Sequence, residues 1–263
     1  MIRTALLAAL ASSTLLVGAP AFADDVQLAT RGANDAAPTT IDLTGVWGQR
    51  WTQTAVSRVP VVGRVRSTTE TLLLLSIQQN GDSLEIAQEV CAVDVSSGNG
   101  MVRTVIPDAF VDALPESVVE ARLDLGGTTP GIRDWDSLDV VGATLTNADA
   151  DALPTDADDL RVSDPDRDGN PGVTVLVRGM VDGEVYVVQR GRSSLRTSFV
   201  SSDRIEGVVD WSAEQNVLGA SARVLRNPPP TEPDPDPTRN RFVAVRLDAG
   251  ATCTSVLNES VLQ

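Results

Sequence analysis

From Asp164 to Gly172 the chain reads Asp-Pro-Asp-Arg-Asp-Gly-Asn-Pro-Gly. Carboxylates at alternate positions followed by glycine form the first half of a calcium loop. Asp164, Asp166 and Asp168 offer hard oxygen ligands, Gly169 permits the sharp turn, and Asn170 completes the candidate set. The second half of an EF-hand is missing, because its twelfth position is Val175 and Pro171 stops the helix that should follow. The expected cofactor is therefore calcium held outside an EF-hand setting, with Asp156, Asp158 or Asp159 as a further ligand. A solvated acidic turn is the competing reading. Eight Asp between 149 and 168 face only Arg161 and Arg167 within that span, so their repulsion needs relief from a cation, salt or disorder.

Other catalytic constellations are sparse. The chain contains no histidine, which removes imidazole bases, His-ligated zinc and Ser-His-Asp triads. No Gly-x-Ser-x-Gly elbow and no phosphate-cradling glycine loop occurs. Asp134-Trp135-Asp136 places two carboxylates beside an aromatic, a pattern a glycosidase could use, but a polar turn around a half-buried Trp accounts for it as well. Aromatics number nine in 263 residues, too few for an extended sugar-stacking surface. Trp47 and Trp51, four apart, share a face of any continuous strand and read as core.

The elements that must carry these residues are strands. Leu72–Ile77 leads through Asn80-Gly81 to Leu84 and Ile86, and Val173–Val177 leads through Asp182-Gly183 to Val185–Val188. Both read as hairpins closed by a turn-forming dipeptide. Leu195–Val200 pairs with Ile205–Trp211 across Ser201-Ser202-Asp203, and Arg241–Leu247 forms the last strand. One short helix is expected over Pro115–Leu123. Hairpins without alternating helices predict an all-β chain, a single antiparallel barrel of about eight strands, with a β-sandwich as the alternative. Residues 41–263 are read as one β domain with an acidic loop at 124–172 and a Pro-rich loop at 227–237, a semi-rigid polyproline connector.

Residues 1–23 read as a secretory signal peptide: Arg3, an apolar stretch from Ala5 to Val17, then Ala21-Phe22-Ala23. Residues 24–40 read as a flexible lead-in. The mature chain is expected in the periplasm or outside the cell, with no membrane insertion after cleavage. A net charge of −15, with 21 Arg and no Lys against 36 acidic residues, argues against nucleic acid as a partner. In an oxidising compartment the two cysteines, Cys91 and Cys253, are expected to pair, two separate buried thiols being the alternative.

Gly45-Val46-Trp47 resembles the Gly-x-Trp opening of the lipocalins and wider calycin barrels, whose first strand begins there. In that family an Arg near the C-terminus packs across the Trp, and a disulfide often ties a mid-barrel strand to the C-terminal segment. The resemblance implies that Arg246 covers Trp47 at the barrel floor and that Cys91–Cys253 is the tie. The Asp-rich stretch is foreign to a compact lipocalin. Functionally the resemblance implies a non-enzymatic carrier for a small apolar ligand. A structural or interaction protein of the cell envelope is the alternative, and a metal-dependent hydrolase using Asp residues is third.

Overall fold

The computed structural model describes residues 41–59, 63–98, 102–127 and 130–262. The signal-peptide and lead-in readings fall on residues 1–40, outside this set. The chain is all-β, as its hairpin pattern predicts, with one antiparallel sheet curled into a half-barrel. Among the described residues twelve strands build it rather than about eight.

Three long strands begin the sheet: β1 (Gly45–Val59), β2 (Gly63–Asn80) and β3 (Ser83–Ser97). Their inward rows carry Trp47 and Trp51, then Leu73, Leu75 and Ile77, then Leu84 and Ile86, all buried. The β2–β3 turn has the two-residue length that Asn80-Gly81 suggests but lies one residue later. Asn80 pairs with Ser83, so the two loop residues are Gly81 and Asp82, and glycine supplies the positive φ of +61° at the first of them.

Next come β4 (Val102–Val105), α1 (Asp108–Asp112), β5 (Ser117–Asp124), β6 (Gly131–Arg133) and β7 (Trp135–Val141). Here the helix expected over 115–123 is corrected. Val119, Ala121 and Leu123 are buried and alternate with exposed Glu120 and Arg122, a period of two that suits the edge of β3. The two-turn helix pattern competed with that alternation, and pairing with β3 decided it.

The second half contributes β8 (Val173–Gly179), β9 (Gly183–Val200), β10 (Arg204–Ala220), β11 (Thr231–Pro233) and β12 (Arg241–Arg246), then α2 (Cys253–Asn258). Two apolar runs read separately, 185–188 and 195–200, belong to the single strand β9. The sheet order is β4-β8-β9-β10-β12-β1-β2-β3-β5-β6, with β11 added to β1 and β7 added to β9. Thus β9 carries β8 along residues 183–187 of one edge and β7 along 189–195 of the same edge, while β10 lines the other. At the far end of the order β6 returns towards β9, where the Ile132 N–H donates to Thr197 Oγ1 at 2.7 Å.

The Pro-rich stretch is also corrected. It is no free polyproline connector: Thr231–Pro233 pairs with Ser57–Ala55 of β1, and the Asp234 N–H donates to the Thr54 carbonyl at 2.7 Å. Proline is tolerated there because β11 is a short added edge strand. Asp234 is almost wholly buried and takes Arg66 Nε at 2.5 Å. Asn240, also buried, accepts from the Thr54 N–H and from Trp211 Nε1.

The acidic stretch lies across the outer faces of β9 and β10. Buried Arg190 donates to the carbonyls of Ala148 at 3.0 Å and Asp151 at 2.7 Å, and its other nitrogen meets Glu214. Asn216 reaches the Leu153 and Pro154 carbonyls, and Leu153 is buried. Part of the expected repulsion is relieved by arginine. Arg192 pairs with Asp149, and Arg161 holds the Asp159 carboxyl down at about 2 through a side-chain hydrogen bond.

Candidate functional site

Two apolar clusters fill the ends of the half-barrel. One contains Trp47, Leu75, Ile86, Trp135 and Phe242, with Trp135 and Phe242 packed edge to face; the other contains Phe110, Val141, Val173, Val175 and Val187. Between them lies a cavity of about 290 Å³, at the lower edge of the range of roughly 300–1,000 Å³ that small-molecule sites occupy. Its apolar wall includes Leu73, Val90, Val93, Phe110, Leu114 and Trp211. Helix α1 brings Phe110 to it, the turn after α1 brings Leu114, and the middle stretches of the long strands bring Leu73, Val90 and Trp211.

The remaining wall is polar, which a sheet interior rarely is. Gln88 of β3, Gln189 of β9 and Gln215 of β10 face the cavity, with Thr71 of β2 and Ser193 of β9. Gln88 and Gln215 are buried, yet Nε2 of each has no hydrogen-bond partner, and neither has Nε1 of Trp51. A buried amide left unpaired costs about 1–3 kcal/mol, a penalty that a polar occupant removes.

Asp139 is the one ionisable side chain lining the cavity among the described residues. It belongs to β7 and sits opposite Gly191 of β9. Gly191 has no positive φ, and a Cβ built on it would meet nothing within 4 Å, so the glycine leaves open volume beside the carboxyl rather than serving a turn. Burial pushes the Asp139 carboxyl up from the ordinary carboxylate range, and no other group acts on it. The raised folded-state value favours folding below the ordinary carboxylate range, and that advantage is lost as pH rises through the raised value.

The Asp loop is the second candidate. One oxygen each of Asp164, Asp166 and Asp168 lies within 4.8 Å of the others. Asp164 accepts the N–H of Asp168 at 3.2 Å and of Gly169 at 3.0 Å. Asp168 accepts from the Asn170 N–H and side-chain amide and from the Thr174 hydroxyl, while Asp166 Oδ2 accepts the Thr174 N–H at 2.8 Å. Asp166 Oδ1 is buried without a partner. Burial pushes the Asp166 carboxyl up, against the pull of the Thr174 N–H, and the Asp168 charge adds to the rise. Three converging carboxylates form a hard oxygen set of the kind calcium takes, and the Asn170 side chain is turned to Asp168 through its amide nitrogen. Arg167, at φ +57°, and Gly169, at φ +86°, make the turn that folds the three inward.

Arg246 and Trp47 pair across β12 and β1, and the guanidinium lies 4.6 Å over the indole. The same guanidinium donates to the carbonyls of Ser202, Thr44 and Asp42, and Trp47 Nε1 donates to the Leu43 carbonyl at 2.9 Å. Gly45 has φ +140°, and a Cβ there would sit 2.6 Å from Arg246 Nη1, so both backbone and space demand glycine. Cys91 and Cys253 form a disulfide, Cα atoms 5.1 Å apart, between β3 and the first turn of α2. Asp134 and Asp136 are exposed on either side of Trp135, which is buried in the core rather than half-buried at a turn.

Sequence reasoning missed the cavity residues Asp139, Gln88, Gln189 and Gln215. A signal for such a polar interior was present in β1, where Gln49 and Gln53 occupy the same period-two row as Trp47 and Trp51. Amides on the row of the core tryptophans mark an interior that is not wholly apolar. Comparisons of the chain with protein-family models, with curated proteins and with solved structures give no match, so its own geometry is what speaks for the site.

Proposed function

We propose that this protein is a non-enzymatic carrier whose half-barrel encloses one small, largely apolar ligand. The observation that carries this reading is the cavity between the two apolar clusters, with aliphatic and aromatic walls and unpaired buried amides. A calycin-like floor, with Arg246 stacked on Trp47 and fixed by three carbonyls, supports the same reading by closing one end. Titration of the mature protein with N-phenyl-1-naphthylamine should enhance the probe's fluorescence and quench tryptophan emission, since Trp51 and Trp211 line the cavity. Gly191→Met, which fills the open volume beside Asp139, should weaken binding about tenfold or more, equivalent to 1.4 kcal/mol. Absence of binding by the wild type would sink the carrier reading and favour a structural role in the cell envelope.

The Asp164 loop is proposed as a structural calcium site holding β8 to the acidic stretch. Its three converging carboxylates and the unpartnered Asp166 oxygen support this. Calorimetric titration should give a dissociation constant of about 10⁻⁴–10⁻³ M, the range of extracellular calcium modules. Asp164→Ala and Asp168→Ala should each abolish the signal. No heat at millimolar calcium would make the segment a plain acidic turn.

A further inference from the structure

We infer that the ligand is a small protonated amine carrying an apolar group, with the Asp139 carboxylate as its counter-ion inside the cavity. The inference deepens the carrier reading and rests on it. It starts from charge. A carboxylate set into the wall of a cavity between two apolar clusters needs a partner, and within the described residues the protein supplies none: Asp139 makes no ion pair and no hydrogen bond. The arginines nearest in sequence register are spent elsewhere. Arg190 and Arg192 flank Gly191 on β9, but alternation turns them to the outer face, where they hold the acidic stretch and Glu214.

Room for the cation exists at the same place. Gly191 stands directly across from Asp139, where facing Cβ positions are typically about 4.5–5.5 Å apart, and the Cβ position there is empty. A primary ammonium fits such a gap and donates three hydrogen bonds, to the carboxylate and to neighbouring oxygens of Ser193 and Gln189. Trp51 and Trp211 also line the cavity, and the aliphatic wall of Leu73, Val90 and Val93 takes the apolar part. An anionic ligand would meet the Asp139 charge in a low-dielectric site with no cation to offset it. A wholly apolar ligand would leave the Gln88 and Gln215 amides unpaired and Asp139 without a counter-ion. The amine satisfies the carboxylate, and a hydroxyl or carbonyl elsewhere on the ligand suits the two amides.

The test uses matched probes on the mature, oxidised protein. Tryptophan fluorescence and calorimetry are followed for n-hexylamine, 2-phenylethylamine and tryptamine, each against the corresponding alcohol, and for 3-phenylpropanoate. At neutral pH at least one amine should bind about tenfold or more tighter than its alcohol, and 3-phenylpropanoate should not bind. Asp139→Asn should bring amine and alcohol binding to within about twofold of each other, because the amide keeps the shape of the wall and removes the charge. Because burial disfavours the ionised carboxyl, this variant should melt no lower than the wild type, which separates lost recognition from lost folding. Equal binding of amine and alcohol, preference for the acid, or an unchanged preference in Asp139→Asn would overturn the amine assignment and leave the carrier reading standing. No binding by any probe would overturn both.

Discussion

Replacing both Cys91 and Cys253 by serine should destabilise the protein by roughly 3–5 kcal/mol and lower its melting temperature by about 6–20 °C. The bridge closes 162 residues of chain, and the chain-entropy model assigns roughly 5 kcal/mol to a loop of that length. Its position is set by an irregularity in the sheet. The β2–β3 register shifts between Leu72 and Leu73, so Leu72 faces Ala92 while Leu73 faces Val90, and Cys91 is the extra residue of the resulting bulge. Val90 lines the cavity, and Cys91 joins α2 outside. The C-terminal segment is held by packing too: Val256 of α2 and Leu262 beyond it are buried, and a Cβ on Gly48 would meet Leu262 at 2.8 Å. Reversible denaturation of the oxidised protein and the double-serine variant measures the effect. A shift below about 2 °C would mean that this packing alone seats the C-terminus.

Trp47→Ala should cost about 3–5 kcal/mol, the usual range for removing a buried indole. The ring has no solvent exposure, sits between β12 and β2 in the sheet, and carries Arg246 on its face. Arg246→Ala should cost less, about 1–3 kcal/mol, because three carbonyls lose a charged donor while retaining access to water at the rim. The double-mutant cycle should show a coupling of about 0.5–2 kcal/mol, the stacking contribution itself. Urea titration of the four proteins reads all three quantities. Additive single effects would reduce the guanidinium to a carbonyl cap with no share in holding the indole.

Local rules were enough for much of this architecture. Hairpin dipeptides and alternating apolar residues identify an all-β chain, and the 201–203 turn between β9 and β10 falls where the sequence places it. Two cysteines in a chain of this composition have one intramolecular partner each. Trp47 and Trp51 share the inward row because the side-chain period of a strand is two. The carboxylates of Asp164, Asp166 and Asp168 converge because their spacing and the following glycine act within a few residues.

The tertiary structure decided the rest, and in each case the deciding contact is remote in sequence. Val119, Ala121 and Leu123 became a strand because the edge of β3 was free to pair with them. Thr231–Pro233 joined the sheet because β12 covers only the first part of that edge of β1, leaving Ala55–Ser57 to be covered. Asp139 looks in the sequence like any surface carboxylate between Leu138 and Val140. Only the register with Gly191, about fifty residues away, turns it into the wall of a cavity. A cavity is enclosed by strands from both halves of the chain, so its existence and its chemistry follow from curl and register, quantities that no local pattern of residues encodes.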